Sequence, residues 1–372
     1  MSGTASRVSR RIFLGSALAA FDAVEAHQAG AVLPSEARRY EDPTTEIEVV
    51  RLTDPAYACT LPAYYNRAVT RNSASLLFAS DREGQAQAFR MELKTGESHQ
   101  LTDLAELDAS SLALTPDSRS FCCFAGRTLV HVSLGNPRHR EIYHIPDGWE
   151  RSSGMSLAPD GAHALFAEAR GESSRLRSVS LVEGAARTVL DGHFPIEHAI
   201  ARPGHGQIVY AQGAESLWMV DGGGANNRRL KLAAGRVGSA QWSADGKALQ
   251  YLSFPQDTAQ LHAIREYSPD AATDRLVAKT SQFACCSANR DSSVFVGASA
   301  NRSSPTVLLL LRITRREFTL CEHKASNPET VTPIFSPDSR RVIFQSDRDG
   351  RRAIYTVHVD KLVEPTEADT GC

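Results

Sequence analysis

Short runs of alternating apolar and polar residues, separated by turn-forming residues, fill most of the chain. Such a period of two is typical of β-strands with one buried face. The stretch "SPDSRRVIFQSDRDGRRAIYTVHVD" at 336–360 has a near copy, "RNSASLLFASDREGQAQAFRMEL", at 71–93. Each copy places a turn before an apolar strand and a charged, glycine-containing turn before a second strand. The pattern therefore predicts repeated antiparallel hairpins.

The turn-then-strand element occurs seven times. Its second turn residue is expected at Asn72, Pro116, Pro159, Pro203, Ala244, Ala288 and Pro337. The intervals are 44, 43, 44, 41, 44 and 49 residues, and a period in the low forties with several strands per unit is typical of propeller blades. We predict an all-β fold, a seven-bladed β-propeller of four-stranded antiparallel blades. The expected inner strands are 63–69, 109–114, 151–157, 196–201, 236–242, 281–287 and 329–335.

The ring has to close. Residues 45–55, "TEIEVVRLTDP", form an alternating strand that precedes the first repeat. We expect this N-terminal strand to complete the last blade, because pairing the two ends of the chain leaves no exposed sheet edge. The predicted organisation is a segment outside the fold at 1–40, a single propeller at 41–365 and a tail at 366–372.

The N-terminus carries a candidate export signal. "SRRIFLGSALAA" at 9–20 combines an arginine pair with a short apolar stretch, which is typical of twin-arginine signals. We therefore predict a signal and a disordered linker over 1–40, and a periplasmic or secreted protein. A disordered cytoplasmic tail is the alternative, and cleavage after Ala19 or after Ala31 would fit equally.

Composition narrows the partners. The net charge is −2 and the isoelectric point is about 6.6, so we expect neither nucleic acid nor an anionic membrane as a partner. The sequence lacks an apolar run of about 20 residues, so we expect no membrane span. Separately, we expect a monomer. The seven cysteines include two adjacent pairs and do not form a disulfide framework. We expect Cys122 and Cys123 to be buried between blades.

Several segments together resemble the oligogalacturonate lyase family. They are "RLTDP" (51–55), "LLFASDREG" (76–84), "LKTGESHQLTD" (93–103), "QWSADGKALQY" (241–251) and "PIFSPDSRRVIFQSDRDG" (333–350). The blade pattern is also similar, more distantly, to TolB-like propellers. The resemblance implies a seven-bladed propeller that cleaves short pectin fragments by β-elimination. It also implies a divalent metal held by histidines and a glutamine on the inner strands.

The positions that the resemblance assigns to this chemistry carry other residues here. Thr330 and Thr332 stand where the family has two metal-binding histidines, and Asn327 stands at the glutamine. Ser239 stands at the catalytic histidine, and Cys285 and Cys286 stand near another family histidine. We therefore predict no metal and no other cofactor. A soft-metal site at the two cysteines is the minor alternative to their burial.

Polar residues of the inner strands are the candidate site, because these strands line the tunnel of a propeller. We expect His198 and Arg236 to be catalytic. We expect substrate to be bound by Tyr65, Asn66, Arg67, Gln241, Gln282 and Glu329. Arginine suits a carboxylate and tyrosine suits the face of a sugar, while histidine exchanges a proton near neutral pH.

Structural roles are the alternatives. His198 can be a hydrogen-bonded structural histidine, and Arg67 and Arg236 can tie loops to backbone carbonyls. Tyr64 and Tyr65 occupy adjacent strand positions and face opposite ways, so at most one is expected to face the tunnel and the other to lie in the core.

Two functions follow. The first is an exported propeller that acts on or binds acidic oligosaccharides such as oligouronides, by β-elimination in a rebuilt, metal-free site. The second is a non-enzymatic, TolB-like propeller that binds a protein or a saccharide at the tunnel mouth. Fold and composition do not decide between them.

Overall fold

The structure is a computed structural model that describes residues 32–364, in which we count thirty strands and two short 3₁₀ helices, at Ala109–Ser111 and Pro328–Thr330. The strands form seven antiparallel sheets arranged as a β-propeller, which confirms the predicted fold class. The predicted export signal (9–20) and the tail (366–372) lie outside the described residues.

The strands are numbered in chain order. They are β1 (Val32–Leu33), β2 (Arg38–Glu41), β3 (Glu48–Arg51), β4 (Cys59–Thr60), β5 (Ser75–Ser80), β6 (Gln87–Glu92), β7 (Ser98–Gln100), β8 (Ala113–Leu114), β9 (Ser120–Ala125), β10 (Thr128–Ser133), β11 (His139–His144), β12 (Glu150–Leu157), β13 (His163–Arg170), β14 (Ser173–Ser180), β15 (Ala186–Gly192), β16 (Glu197–Ala201), β17 (Gln207–Ala211), β18 (Leu217–Asp221), β19 (Arg228–Arg229), β20 (Arg236–Trp242), β21 (Leu249–Phe254), β22 (Ala263–Ser268), β23 (Thr273–Lys279), β24 (Phe283–Ala288), β25 (Val294–Ser299), β26 (Thr306–Leu311), β27 (Glu317–Glu322), β28 (Ile334–Phe335), β29 (Arg341–Ser346) and β30 (Ala353–His358).

Blades 2 to 6 are sheets of four consecutive strands, from β8–β11 in blade 2 to β24–β27 in blade 6. Blade 1 consists of β4–β7 with β1 as a fifth, outer strand, and blade 7 consists of β28, β29, β30, β3 and β2 in that order. In each blade the first strand lies nearest the tunnel and a tight turn leads into the second.

The same hydrogen bond marks this turn in all seven blades. The backbone N–H of the first turn residue donates to the carbonyl five residues on. We call these residues the turn starters: Thr70, Thr115, Ala158, Arg202, Ser243, Asn289 and Ser336. They set the register for comparing the blades.

Five of the predicted second turn residues directly follow a turn starter, but Asn72 and Ala288 were wrong. The residues in this position are Arg71 and Arg290. Each of these two turns begins at the residue whose side chain accepts the backbone N–H five residues on. In blade 1 this residue is Thr70, whose hydroxyl accepts the N–H of Ser75 at 2.9 Å. In blade 6 the amide oxygen of Asn289 accepts the N–H of Val294 at 3.0 Å.

The N-terminal strand closes the ring as predicted. β3 pairs with β30, with Val49 opposite Val357. The chain adds more than predicted, because β2 pairs with β3 and β1 pairs with β7 of blade 1. The expectation of a linker up to residue 40 is thus wrong for 32–40. Pairing at the edge of a sheet uses only backbone groups, so the pattern of hydrophobic side chains does not reveal it.

The core lies between the blades. Each of seven buried apolar clusters combines residues of two neighbouring blades. Between blades 2 and 3, for example, Phe124 and Phe166 meet edge to face with ring centroids 5.0 Å apart. Cys122 and Cys123 are fully buried in two such clusters, which confirms their predicted burial. In the described part of the chain no helix is long and apolar enough to cross a membrane.

Ring closure can be tested by truncation. A protein that starts at residue 54 should melt well below one that starts at residue 32, because it loses Val49, Val50 and Leu52. These side chains are buried, and burial of one such side chain contributes about 1.5–3 kcal/mol. Thermal unfolding and size-exclusion chromatography check this. An unchanged melting temperature in a monomeric truncated protein would contradict the role given to the strand.

Candidate functional site

The inner strand of blade 1 is interrupted. β4 pairs with β5 through Cys59 and Ser80, and pairing resumes only at the Val69–Leu76 bridge. The residues between, 61–68, leave the sheet, and the N–H of Asn66 bonds the carbonyl of Ala63 at 2.7 Å to form a turn. The predicted inner strand at 63–69 is therefore wrong.

This turn carries Tyr64 and Tyr65 across the tunnel. Their rings meet edge to face with centroids 5.0 Å apart. Tyr65 packs against the core cluster of blades 4 and 5. The backbone of Ala240 in blade 5 lies near the Tyr64 hydroxyl and partly offsets the rise in its pKa that burial causes. Both rings thus reach the far side of the tunnel. The expectation that only one faces the tunnel is wrong, because the alternation of a strand does not apply in a turn.

Equivalent positions in the seven blades define levels along the tunnel. We define each level by its distance in sequence from the turn starter. The upper ring, seven residues before each turn starter, is Ala63, Asp108, Arg151, Pro195, Arg236, Gln282 and Glu329. The middle ring, four residues before, is Asn66, Ser111, Gly154, His198, Ser239, Cys285 and Thr332. The turn ring, one residue after, is Arg71, Pro116, Pro159, Pro203, Ala244, Arg290 and Pro337.

Four of the seven middle-ring residues have the left-handed backbone conformation, and three of these are not glycine. Positive φ angles occur at Gly154 (85°), His198 (49°), Ser239 (48°) and Thr332 (40°). In β12, β16 and β20 a register shift coincides with this position. A positive φ is costly for residues other than glycine, above all for β-branched residues. Because such strain concentrates at functional sites, the middle ring is the candidate site.

His198 is the one imidazole among the seven described positions of this ring. Its side chain is exposed to the tunnel, yet the surrounding protein lowers its pKa by desolvation, against a smaller opposite effect of Glu197. The imidazole is therefore neutral at pH 7 and has a lone pair available to take up a proton. This state fits a general base.

Tyr65 lies beside His198, with ring centroids 5.8 Å apart. Burial raises the pKa of Tyr65 to about 12, while the charge of Arg151 lowers it and that of Asp108 raises it. The phenol is therefore protonated and can donate a proton. A Cβ at Gly154 would lie 2.6 Å from the Tyr65 hydroxyl oxygen and 3.5 Å from His198 Nδ1, so glycine makes this approach possible.

The upper ring holds two ion pairs. Arg151 pairs with Asp108 of the neighbouring blade, and its guanidinium lies 4.7 Å from the ring centroid of Phe124. Arg236 donates to Glu329 at 2.9 Å and lies 3.7 Å from the ring centroid of Phe254. The predicted Arg236 and Glu329 thus come together, but as partners of each other. Gln282 belongs to this ring and has a φ of 58°.

Four predicted substrate-binding residues line a chamber at the opposite end of the tunnel. This chamber has a volume of about 530 Å³, and Tyr65, Asn66, Arg67 and Gln241 lie in its wall. Asn66 also has a structural role, since its amide donates to the carbonyls of Leu112 at 3.2 Å and Met155 at 2.8 Å.

The predicted site residues therefore do not form one cluster. Arg236 and Gln241 are five residues apart on β20, which corresponds to about 16 Å along a strand. Sequence reasoning missed Arg151 and Asp108, although they hold the same position relative to the turn starter as Arg236 and Glu329. That spacing was the signal that could have identified them.

Comparisons with known proteins agree with the predicted family resemblance. Residues 28–173 match the profile of the family described as oligogalacturonate lyase. The chain is 26% identical over 384 residues to the oligogalacturonide lyase of Pectobacterium atrosepticum, covering 90% of this chain and 99% of that protein. It is 25% identical over 374 residues to the oligogalacturonate lyase of Dickeya dadantii, covering 87% and 96%. The predicted resemblance to the oligogalacturonate lyase family is confirmed.

The fold is also that of an oligogalacturonate lyase solved in complex with manganese. The TM-score is 0.83 at 23% identity, covering 88% of this chain and 97% of that one. TolB from Acinetobacter baumannii is a distant neighbour, with a TM-score of 0.48 at 14% identity over 71% of this chain and 62% of its own.

The residues present do not fit the metal that the oligogalacturonate lyase resemblance implies. Thr332 Oγ1 and the carbonyl of Thr330 both accept hydrogen bonds from Gln345 Nε2, at 3.1 and 2.7 Å. Ser239 Oγ accepts the N–H of Cys286 at 3.1 Å.

Cys285 Sγ donates to the carbonyl of Pro328 at 3.4 Å, and burial raises the pKa of its thiol to about 12. Hydroxyls and a protonated thiol held in this way are poor ligands. Among residues 32–364 no three His, Cys, Asp or Glu side chains are grouped to hold a metal ion.

Gly154→Ala tests the contact between the middle ring and Tyr65. We expect a loss of unfolding free energy of about 1–3 kcal/mol, because the residue has a φ of +85° and its Cβ would meet the Tyr65 hydroxyl. Chemical denaturation measures it. Gly171→Ala is the control, since its φ is +57° with nothing within 4 Å of the added Cβ. Tyr65→Phe should recover part of the loss in the Gly154 variant; equal losses at both glycines would contradict the contact.

Manganese should not bind at the middle ring. Calorimetric titration of the purified protein with MnCl₂ is expected to show no saturable site in the micromolar range, because the single imidazole of the ring, His198, is accompanied only by hydroxyls, the amide of Asn66 and a protonated thiol. One manganese bound per chain, lost in Cys285→Ala, would contradict this assignment.

Proposed function

We propose that this propeller acts on short oligouronides by β-elimination, with a site rebuilt around His198. The observation that carries the proposal is the pair formed by a neutral imidazole and a protonated phenol in the middle ring. The names of the relatives, which are oligogalacturonide and oligogalacturonate lyases, supply the substrate class.

The chemistry needs a base, an acid and a positive charge near the uronate carboxylate. His198 takes the proton from the carbon next to the carboxylate. The released electron pair forms a carbon–carbon double bond as the adjacent carbon's bond to the glycosidic oxygen breaks, and Tyr65 donates its proton to that oxygen. The histidinium returns its proton to the tyrosinate through water, which restores both groups.

Arg151 is the residue that we assign to the carboxylate. Its charge is close enough to lower the pKa of Tyr65. Asp108 holds it in place, and Asp108 is itself fixed at the start of the helix Ala109–Ser111 by accepting the N–H of Ser110 at 2.9 Å. Arg236, already paired with Glu329, is assigned to binding at the rim of the tunnel.

A non-enzymatic function is the second candidate, as a TolB-like propeller that binds a protein or a saccharide. Ser239 and Thr332 stand where the family has catalytic and metal-binding side chains, and both are held in structural hydrogen bonds. These bonds favour the non-enzymatic function. For either function we propose export to the periplasm or beyond, on the basis of the arginine pair at 10–11.

One assay separates the two functions. The protein is incubated with oligogalacturonides, and the ultraviolet absorbance of the unsaturated product is followed without added metal. We expect turnover that falls by about 100- to 10,000-fold in His198→Ala, the usual contribution of a general base. The exposed His193 provides the matched control, His193→Ala. Absence of product in the wild-type protein would leave the binding function.

The pH profile tests the assigned protonation states. The base works when neutral, and desolvation lowers the pKa of His198 below its ordinary 6.5. Catalytic efficiency should therefore be flat through neutral pH and should fall only at pH values below the ordinary histidine pKa of 6.5. The pKa of Tyr65 near 12 implies no loss of the acid up to pH 9. A falling limb between pH 7 and 9 would argue against Tyr65 as the acid.

A further inference from the structure

The turn ring is not uniform. In five blades its residue is proline or alanine, but blades 1 and 6 carry Arg71 and Arg290. Since the same turn forms with alanine at 244, its geometry does not require a guanidinium group in this position. The two arginines lie on either side of blade 7, at the tunnel mouth opposite the upper ring.

These arginines face the chamber of about 530 Å³. Arg67 joins them from the interrupted strand of blade 1, with Nη1 at 3.4 Å from the carbonyl of Pro116. Among the described residues that line the chamber there are three guanidinium groups and no Asp or Glu side chain. A wall of this composition favours an anion, and the planar guanidinium fork matches a carboxylate.

Aromatic rings complete the chamber. Trp242 lines it at the end of β20, and Tyr64 and Tyr65 line it where they cross the tunnel. Trp242 is held from behind by Arg202, whose guanidinium carbon is 5.6 Å from the ring centroid. Arg202 is fully buried and fixed by two bonds to Asp270, at 2.9 and 2.8 Å. The indole is thus a rigid, flat surface of the kind on which a sugar ring stacks.

We propose that this chamber is a second binding site, which takes a sugar acid of one or two rings. Its carboxylate is bound by Arg67, Arg71 and Arg290, and a sugar ring lies against Trp242. The volume falls within the range of about 300–1,000 Å³ that is usual for small-molecule pockets. The site lies on the other side of the two tyrosines from the upper ring, and it requires no cleavage of its ligand.

The test uses D-galacturonate, which has no glycosidic bond to cleave. Calorimetric titration should show saturable binding, with quenching of tryptophan fluorescence as the second readout. Arg71→Ala and Arg290→Ala should each weaken binding by at least about tenfold, the lower end of the contribution of a hydrogen bond to a charged group. Both variants should fold, since alanine already occupies this position in blade 5. Arg119→Ala, an exposed arginine of the blade 2 turn, is the control and should bind as wild type.

Three further arms decide the outcome. D-galactose should not bind, because it lacks the carboxylate. No saturable binding of galacturonate, or binding unchanged in the Arg71/Arg290 double variant, would overturn the proposal. Sulfate binding as tightly as galacturonate would overturn the assignment to a sugar acid. Since lyase activity is measured separately, a failure here is distinct from a failure at His198.

Discussion

Within residues 32–364, no blade has a core of its own. Every buried apolar cluster is shared by two neighbouring blades, so a blade is stable only when both of its faces are covered. The contact between blades 7 and 1 forms only when β3 from the start of the chain pairs with β30 from its end. The tunnel and its rings exist because this last contact closes the circle.

The architecture was predictable because its signals are local. Alternation of apolar residues, turn residues and a regular interval each depend on a few neighbouring positions, and they indicated seven blades and their closure. The inner strand of blade 1 was not predictable in this way. "LPAYYNRAV" at 61–69 has the pattern of a strand, but the segment leaves the sheet because Tyr64 and Tyr65 contact blades 4 and 5. Those partners lie more than a hundred residues away.

The sequence predicted several residues of the candidate site, but not which of them lie together. His198 and Arg236 were expected on inner strands and they lie there, yet the arginine near the phenol is Arg151, and Arg236 is bound by Glu329. Residue types do not reveal which charges pair across a tunnel. The replaced metal ligands were visible in the sequence, whereas the hydrogen bonds that hold Thr332 and Cys285 in structural roles required the three-dimensional arrangement.

The two tyrosines that cross the tunnel have a topological consequence. A propeller with an open axis can be threaded by a polymer, but here the rings of Tyr64 and Tyr65 stand in the path between the two mouths. A linear chain can therefore enter either mouth only by one end, and its depth of entry is limited by the aromatic pair. The two mouths are thus separate blind-ended openings and not the two ends of one continuous channel.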